Sequence, residues 1–214
     1  MNMKDIMLIF DLDGTLWDSG REVAAAWNGV LRKRCPHAAL LTAEDIRNVM
    51  GKTMDEIARI LMPDMEAERR KVVFDECMDH ENEYIAVHGG RLFPKVRETL
   101  EKFLTDGYKM SIVSNCQKGY INAFLVSMDM KKYFCDTEEW GATGLGKDEN
   151  IRLVMKRNGF EKALYVGDTH GDETAARKAQ IPFVYAAYGF GDAQNPDGEI
   201  QEFSDLLAVT ENFV

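Results

Sequence analysis

Short β-rich apolar runs at 6–10, 108–113, 163–166 and 183–187 alternate with helical patterns, and this alternation restricts the fold more than any other feature. Residues 94–106 place Val96, Leu100, Phe103 and Leu104 on one helical face and stop at Gly107. Residues 120–128 carry Ile121, Phe124, Leu125 and Met128 at the same spacing. Residues 150–158 carry Ile151, Val154 and Met155 before Gly159. Strands separated by helices pair in parallel through right-handed crossovers. The expected class is therefore α/β, with a Rossmann-like open parallel sheet as its core.

Residues 19–88 break the alternation. Ser19-x-x-Glu22 has the form of a capping box and opens a helix with Val23, Trp27, Val30 and Leu31 on one face. Thr42-x-x-Asp45 opens a short helix that ends by Gly51, and Thr53-x-x-Glu56 opens another, stopped by Pro63. A long helix follows from about Met65 to His88, with Phe74, Cys77, Met78, Tyr84 and Ile85 apolar, and ends at Gly89-Gly90. A purely helical stretch after the first strand reads as an inserted all-α cap. The expected division is a core of 1–16 and 92–214 with a cap of 17–91.

The formal net charge of −10 argues against a nucleic-acid or anionic-membrane surface, which calls for a basic patch. The densest basic run, Arg32-Lys33-Arg34, falls at a helix end. Cys35, Cys77, Cys116 and Cys135 are too dispersed for a zinc site or a small disulfide framework. The run 6–10 is too short for a signal sequence, and no stretch reaches membrane-spanning length. A cytoplasmic setting is expected, and a monomer and a dimer are both open.

The chemistry concentrates at strand ends. In Phe10-Asp11-Leu12-Asp13-Gly14, a strand runs into two carboxylates at i and i+2, which project to the same side of an extended segment. That places them at the carboxyl edge of the sheet, where open α/β sheets bind ligands. Two such acids repel unless a cation neutralises them or one keeps a proton. Mg2+ meets that need with hard oxygen ligands, usually one or two carboxylates plus phosphate. Ser114-Asn115 ends a second strand with groups suited to a phosphate oxygen. Lys147 follows a Gly144-Leu145-Gly146 loop, and Gly167-Asp168-x-x-x-Asp172 ends another strand with two more acids. Taken singly, each has a structural explanation in turns, helix starts or solvated lysine. Together they would neutralise and orient a phosphoryl group.

This ordered set, from Asp11-Leu12-Asp13-Gly14-Thr15-Leu16-x-Asp18-Ser19 through Ser114-Asn115, Lys147 and Gly167-Asp168-x-x-x-Asp172, resembles the haloacid dehalogenase superfamily. Within it the likeness is to phosphoglycolate-phosphatase-like hydrolases with a helical cap after the first motif. The resemblance implies that Asp11 is the nucleophile and becomes an aspartyl phosphate, with Asp13 as general acid and base. It implies Mg2+ held by Asp11, the backbone carbonyl of Asp13 and Asp168, with Asp172 close behind. Ser114, Asn115 and Lys147 would hold phosphoryl oxygens, and Lys52 in the Met50–Thr53 turn would touch substrate from the cap. Asp148 stands where relatives usually have proline after the lysine.

The expected function is thus a Mg2+-dependent phosphatase acting on a small phosphorylated metabolite. A β-phosphoglucomutase-type mutase is the alternative. Gly167, where such relatives often carry glutamate, favours hydrolysis. Outside enzymes, a signalling receiver or a non-catalytic scaffold fits less well, because the helical insertion would be needless in one and every motif position is filled for the other.

Overall fold

The computed structural model describes residues 4–213. In chain order the elements are β1 (Ile6–Phe10), β2 (Trp17–Asp18), α1 (Gly20–Arg34), α2 (Ala43–Arg47), α3 (Met54–Leu61), α4 (Ala67–His88), β3 (Arg91–Leu92), α5 (Val96–Thr105) and β4 (Lys109–Ser114). They continue with α6 (Tyr120–Ser127), β5 (Asp136–Glu139), α7 (Trp140–Thr143), α8 (Lys147–Asn158), β6 (Lys162–Gly167), α9 (His170–Ala179), β7 (Phe183–Ala186), β8 (Gly198–Ile200) and α10 (Leu206–Thr210).

Six strands form one parallel sheet in the order β5-β4-β1-β6-β7-β8. Every residue of β1 is buried because helices cover both faces, which is why it reads as a continuous apolar run. Leu8 and Phe10 join one hydrophobic core while Met7 and Ile9 join the other, as the two-residue period of a strand requires. The chain leaves β1 to build β4 and β5 on one side, then returns to build β6, β7 and β8 on the other. β1 therefore borders the reversal of strand order, where ligand crevices form.

Four strands escape the sequence pattern, the two-residue β2 and β3 and, in the main sheet, β5 and β8. β5 is Asp-Thr-Glu-Glu and β8 is Gly-Glu-Ile; both are edge strands with polar sequences. Residues 19–88 are helical wherever they are regular, as expected. The chain enters and leaves this segment through an antiparallel ribbon in which Trp17 pairs with Leu92 and Asp18 with Arg91. Packing of α1 on α4 buries Val23, Trp27, Val30 and Leu31 against Phe74, Cys77 and Ile85.

The expected capping box at Ser19 does not form. Ser19 occupies the N-cap of α1, but its hydroxyl makes no cap hydrogen bond and is committed instead to Asp13. The box at Thr42 and Asp45 does form, and Glu56 accepts from both the backbone and the hydroxyl of Thr53. All four cysteines are free thiols. Among the described residues, no helix is long and apolar enough to cross a membrane.

Candidate active site

β1, β4 and β6 end side by side, and their carboxyl ends bring together Asp11, Ser114 and Asp168. The turn that follows β1 depends on Gly14, whose φ of +82° is costly for any residue with a side chain. A Cβ there would also collide with the Asp168 carboxylate. The loop after β1 and the loop after β6 are thus in direct contact.

One oxygen from each of Asp11, Asp168 and Asp172 lies within 4.8 Å of the others, and all three residues are buried. Lys147 Nζ stands 2.6 Å from Asp172 Oδ1 and 3.0 Å from Asp11 Oδ1. The second contact is an ion pair without hydrogen-bond alignment, so Asp11 Oδ1 is left without a hydrogen-bond partner. Burial lifts the Asp11 carboxyl above its ordinary range against the pull of Lys147, and Asp172 lifts it further. Burial raises Asp168 well above its usual value too, with Asp172 and Asp11 adding repulsion. For Lys147 burial acts the other way, but Asp11 and Asp172 outweigh it and hold the ammonium charged.

Three buried carboxylates facing one ammonium leave surplus negative charge in a dry site, which is costly unless a cation or protons offset it. The donors are hard oxygens, and one is an orphan. This set fits Mg2+ or a similar hard divalent cation.

Asp13 lies on the other side of the same loop, outside the acidic trio. Ser19 Oγ donates to Asp13 Oδ1 at 2.6 Å, and the Tyr120 hydroxyl lies 3.1 Å from that oxygen and 2.8 Å from Ser19 Oγ. Burial pushes the Asp13 carboxyl up to about 7; the Ser19 hydrogen bond opposes this and the Asp11 charge adds to it. A carboxyl so placed can both give and take a proton near neutrality.

Lys147, just past the glycine loop, is the first residue of α8, with Gly146 at the N-cap. A lysine there opposes the helix dipole, and its two buried ion pairs offset this, while Asp148 and Glu149 supply the favoured first-turn acids. Asp148 also pairs with Arg152 at 2.6 Å. Thr169 is the N-cap of α9, and Asp172 is the third helical residue, closing a capping box with one oxygen while the other meets Lys147.

Ser114, Asn115 and Lys52 all line a cavity of about 50 Å³ next to Asp11 and Asp13. Asn115 does not point freely into it: its amide donates to the Gly51 carbonyl at 3.0 Å, tying the Met50–Thr53 turn to the sheet edge. Lys52 is exposed and also lines an outer groove beside His170 and Phe190.

Sequence reasoning missed three residues. Tyr120 opens α6 yet reaches Asp13, and Phe190 N donates to Asp168 Oδ2 at 2.8 Å. Glu81 is 4 % exposed and lines the cavity from α4. It accepts a hydrogen bond from Trp27 Nε1. Its signal was present: Cys77, Glu81 and Ile85 are four apart, so a glutamate occupies the apolar stripe of the helix.

The family model for haloacid dehalogenase-like hydrolases matches residues 8–186. The chain belongs to the haloacid dehalogenase-like hydrolases. Among members of this family, the phosphoglycolate phosphatase of Salmonella choleraesuis is 30 % identical, over 92 % of this chain and 89 % of its own. That of Vibrio parahaemolyticus is 29 % identical, over 98 % of both. A haloacid dehalogenase-like hydrolase from Streptococcus pneumoniae has the same fold, with a TM-score of 0.81 at 21 % identity over 97 % of this chain and 100 % of that one. CbbY from Rhodobacter sphaeroides, solved with phosphate, gives 0.76 at 17 % identity over 94 % and 95 %.

Proposed function

We propose that this hydrolase is a Mg2+-dependent phosphatase that cleaves a small phosphomonoester through an aspartyl phosphate on Asp11. The observation that carries the reading is the pairing of a buried Asp11 carboxylate, held by the Lys147 ammonium, with a proton-holding carboxyl on Asp13, two residues on. The names of the curated relatives support phosphomonoester chemistry.

Asp11 attacks phosphorus, forming one P–O bond as the ester P–O bond breaks, and Asp13 gives its proton to the departing alkoxide. Water then attacks the acyl phosphate while Asp13 takes its proton, releasing phosphate and restoring both carboxyl groups. Ser19 and Tyr120 both approach Asp13 Oδ1, which leaves Oδ2 to carry the proton. Lys147 holds Asp11 and Asp172 in place and offsets charge gathering on the phosphoryl oxygens, with Ser114 offering a hydroxyl. Mg2+ held by Asp11 and Asp168, with the Asp13 carbonyl and Asp172 near it, would supply further charge neutralisation. Residues 17–91 act as the cap that covers the leaving group. Free thiols throughout suit a reducing, cytoplasmic setting.

The test is hydrolysis of p-nitrophenyl phosphate with and without Mg2+. Turnover should need the metal and fall by about 10³-fold or more in Asp11→Asn, in line with loss of a catalytic nucleophile. Full activity in Asp11→Asn would refute the mechanism.

A further inference from the structure

The cavity beside Asp11 and Asp13 is walled by the helical segment, and its chemistry limits what can leave with the ester oxygen. Val23, Trp27, Ile46, Val49, Met54 and Ile57 form an apolar wall. Glu81 interrupts that wall from the middle of the buried stripe of α4, where an apolar residue would pack more simply. Gln117 beside it is tied to Asn82 at 3.2 Å. Among the described residues lining the cavity, Lys52 is the only basic one, and it is exposed at the rim.

We propose that Glu81 selects the leaving group, and that the class it selects is a short neutral polyol carried as its phosphate monoester. This rests on the phosphatase reading above and narrows it.

Three observations lead there. The first is size: the cavity beside the acids is small, about 50 Å³, which suits a short leaving group better than a bulky one. The second is charge. A tail bearing a carboxylate, as in phosphoglycolate, would lose its hydration against six apolar side chains and face Glu81, with an exposed lysine as its sole counter-charge. Burying a charge without a close partner is among the most costly arrangements in a protein. An ammonium tail meets the same apolar wall, and Glu81 counters its charge only in the fraction that has lost its proton.

The third is hydrogen bonding. A hydroxyl both donates and accepts, so it satisfies the Glu81 carboxyl whether that group holds its proton or not; a carboxylate can only accept and an ammonium can only donate. Burial pushes the Glu81 carboxyl up to about 8, against the Trp27 and Gln117 hydrogen bonds, so both forms are accessible near neutrality. Trp27 holds one carboxyl oxygen, and Gln117, beside Glu81 in the cavity lining, also hydrogen-bonds this carboxyl.

The experiment uses the full chain with Mg2+ and compares kcat/KM for racemic glycerol 1-phosphate, phosphoglycolate, phosphoethanolamine and p-nitrophenyl phosphate. Glycerol 1-phosphate should exceed both charged-tail esters by about tenfold or more, a discrimination within reach of one buried hydrogen-bonding group. Glu81→Met should reduce kcat/KM for glycerol 1-phosphate, mainly through KM, by about fivefold more than for the aryl ester. Glu81→Gln, which still donates and accepts, should keep the wild-type ranking, and thermal melts establish that both variants fold.

A wild-type preference for phosphoglycolate or phosphoethanolamine overturns the proposal, as does an equal loss on all esters in Glu81→Met. The aryl ester separates the two levels. If its hydrolysis depends on Mg2+ and Asp11 while the ranking comes out wrong, the selectivity idea fails and the phosphatase reading stands. If wild type hydrolyses none of the four, the phosphatase reading fails and takes the proposal with it.

Discussion

Asp11 and Asp13 are chemically identical residues two positions apart, and their surroundings give them different tasks. Asp11 faces an ammonium and two other acids, whereas Asp13 faces two hydroxyls. Glu81 is another buried acid, and its effect on stability has a definite sign. Its carboxyl rises from 4.5 to about 8 on burial, so the folded chain holds a proton that the unfolded chain releases between those values. The associated stability is fully present below pH 4.5 and is lost as pH rises through 8. Glutamine cannot titrate, so Glu81→Gln should match wild type near pH 4.5 and melt roughly 4 °C or more above it near pH 9, by scanning calorimetry. A constant difference across that range would mean that the carboxyl does not titrate as described.

At the scale of elements, two helix starts build the site. α8 begins on Lys147 and α9 begins just past Thr169, and Asp172 joins them by meeting Lys147 with one oxygen and capping α9 with the other. Stability and catalysis therefore share a side chain. Thr169→Ala removes the hydroxyl that donates to Asp172 Oδ2 and accepts from Asp172 N, and should cost about 1 kcal/mol in urea denaturation. Because Asp172 then has fewer restraints, Mg2+-dependent turnover should fall as well. Gly51 shows a related economy: its carbonyl takes the Asn115 amide, and a Cβ on it would press on Thr169 at 3.1 Å. The Met50–Thr53 turn is thus seated on the start of α9.

For the molecule as a whole, the acidic trio opposes folding in the absence of a cation, because desolvated like charges repel. Mg2+ should therefore raise Tm, with the rise continuing logarithmically as the ion exceeds its dissociation constant. In Asp168→Asn the metal-free protein should be as stable as wild type or more so, while most of the Mg2+-induced rise in Tm disappears. A full rise in that variant would mean that the ion binds elsewhere. The division of labour is spatial: the sheet edge presents the acids, and the helices between β2 and β3 wall the cavity beside them.

The sequence alone determined the α/β core, the helical segment at 19–88 and the strand-end positions of Asp11, Asp13, Ser114 and Asp168. Local rules are enough for these: burial on both faces makes β1 continuously apolar, and strand ends are marked by the residues that stop them. Only the tertiary structure decided which residues complete the site. β5 and β8 carry polar sequences because they lie at sheet edges, which a one-dimensional pattern does not register. Ser19 matched a capping box, but Asp13 and Tyr120 compete for its hydroxyl, and a partner 101 residues away is invisible to local spacing. Glu81 lay in plain sight on an apolar stripe. Its meaning depends on the cavity it faces, and that cavity exists only once the helices close against the sheet edge.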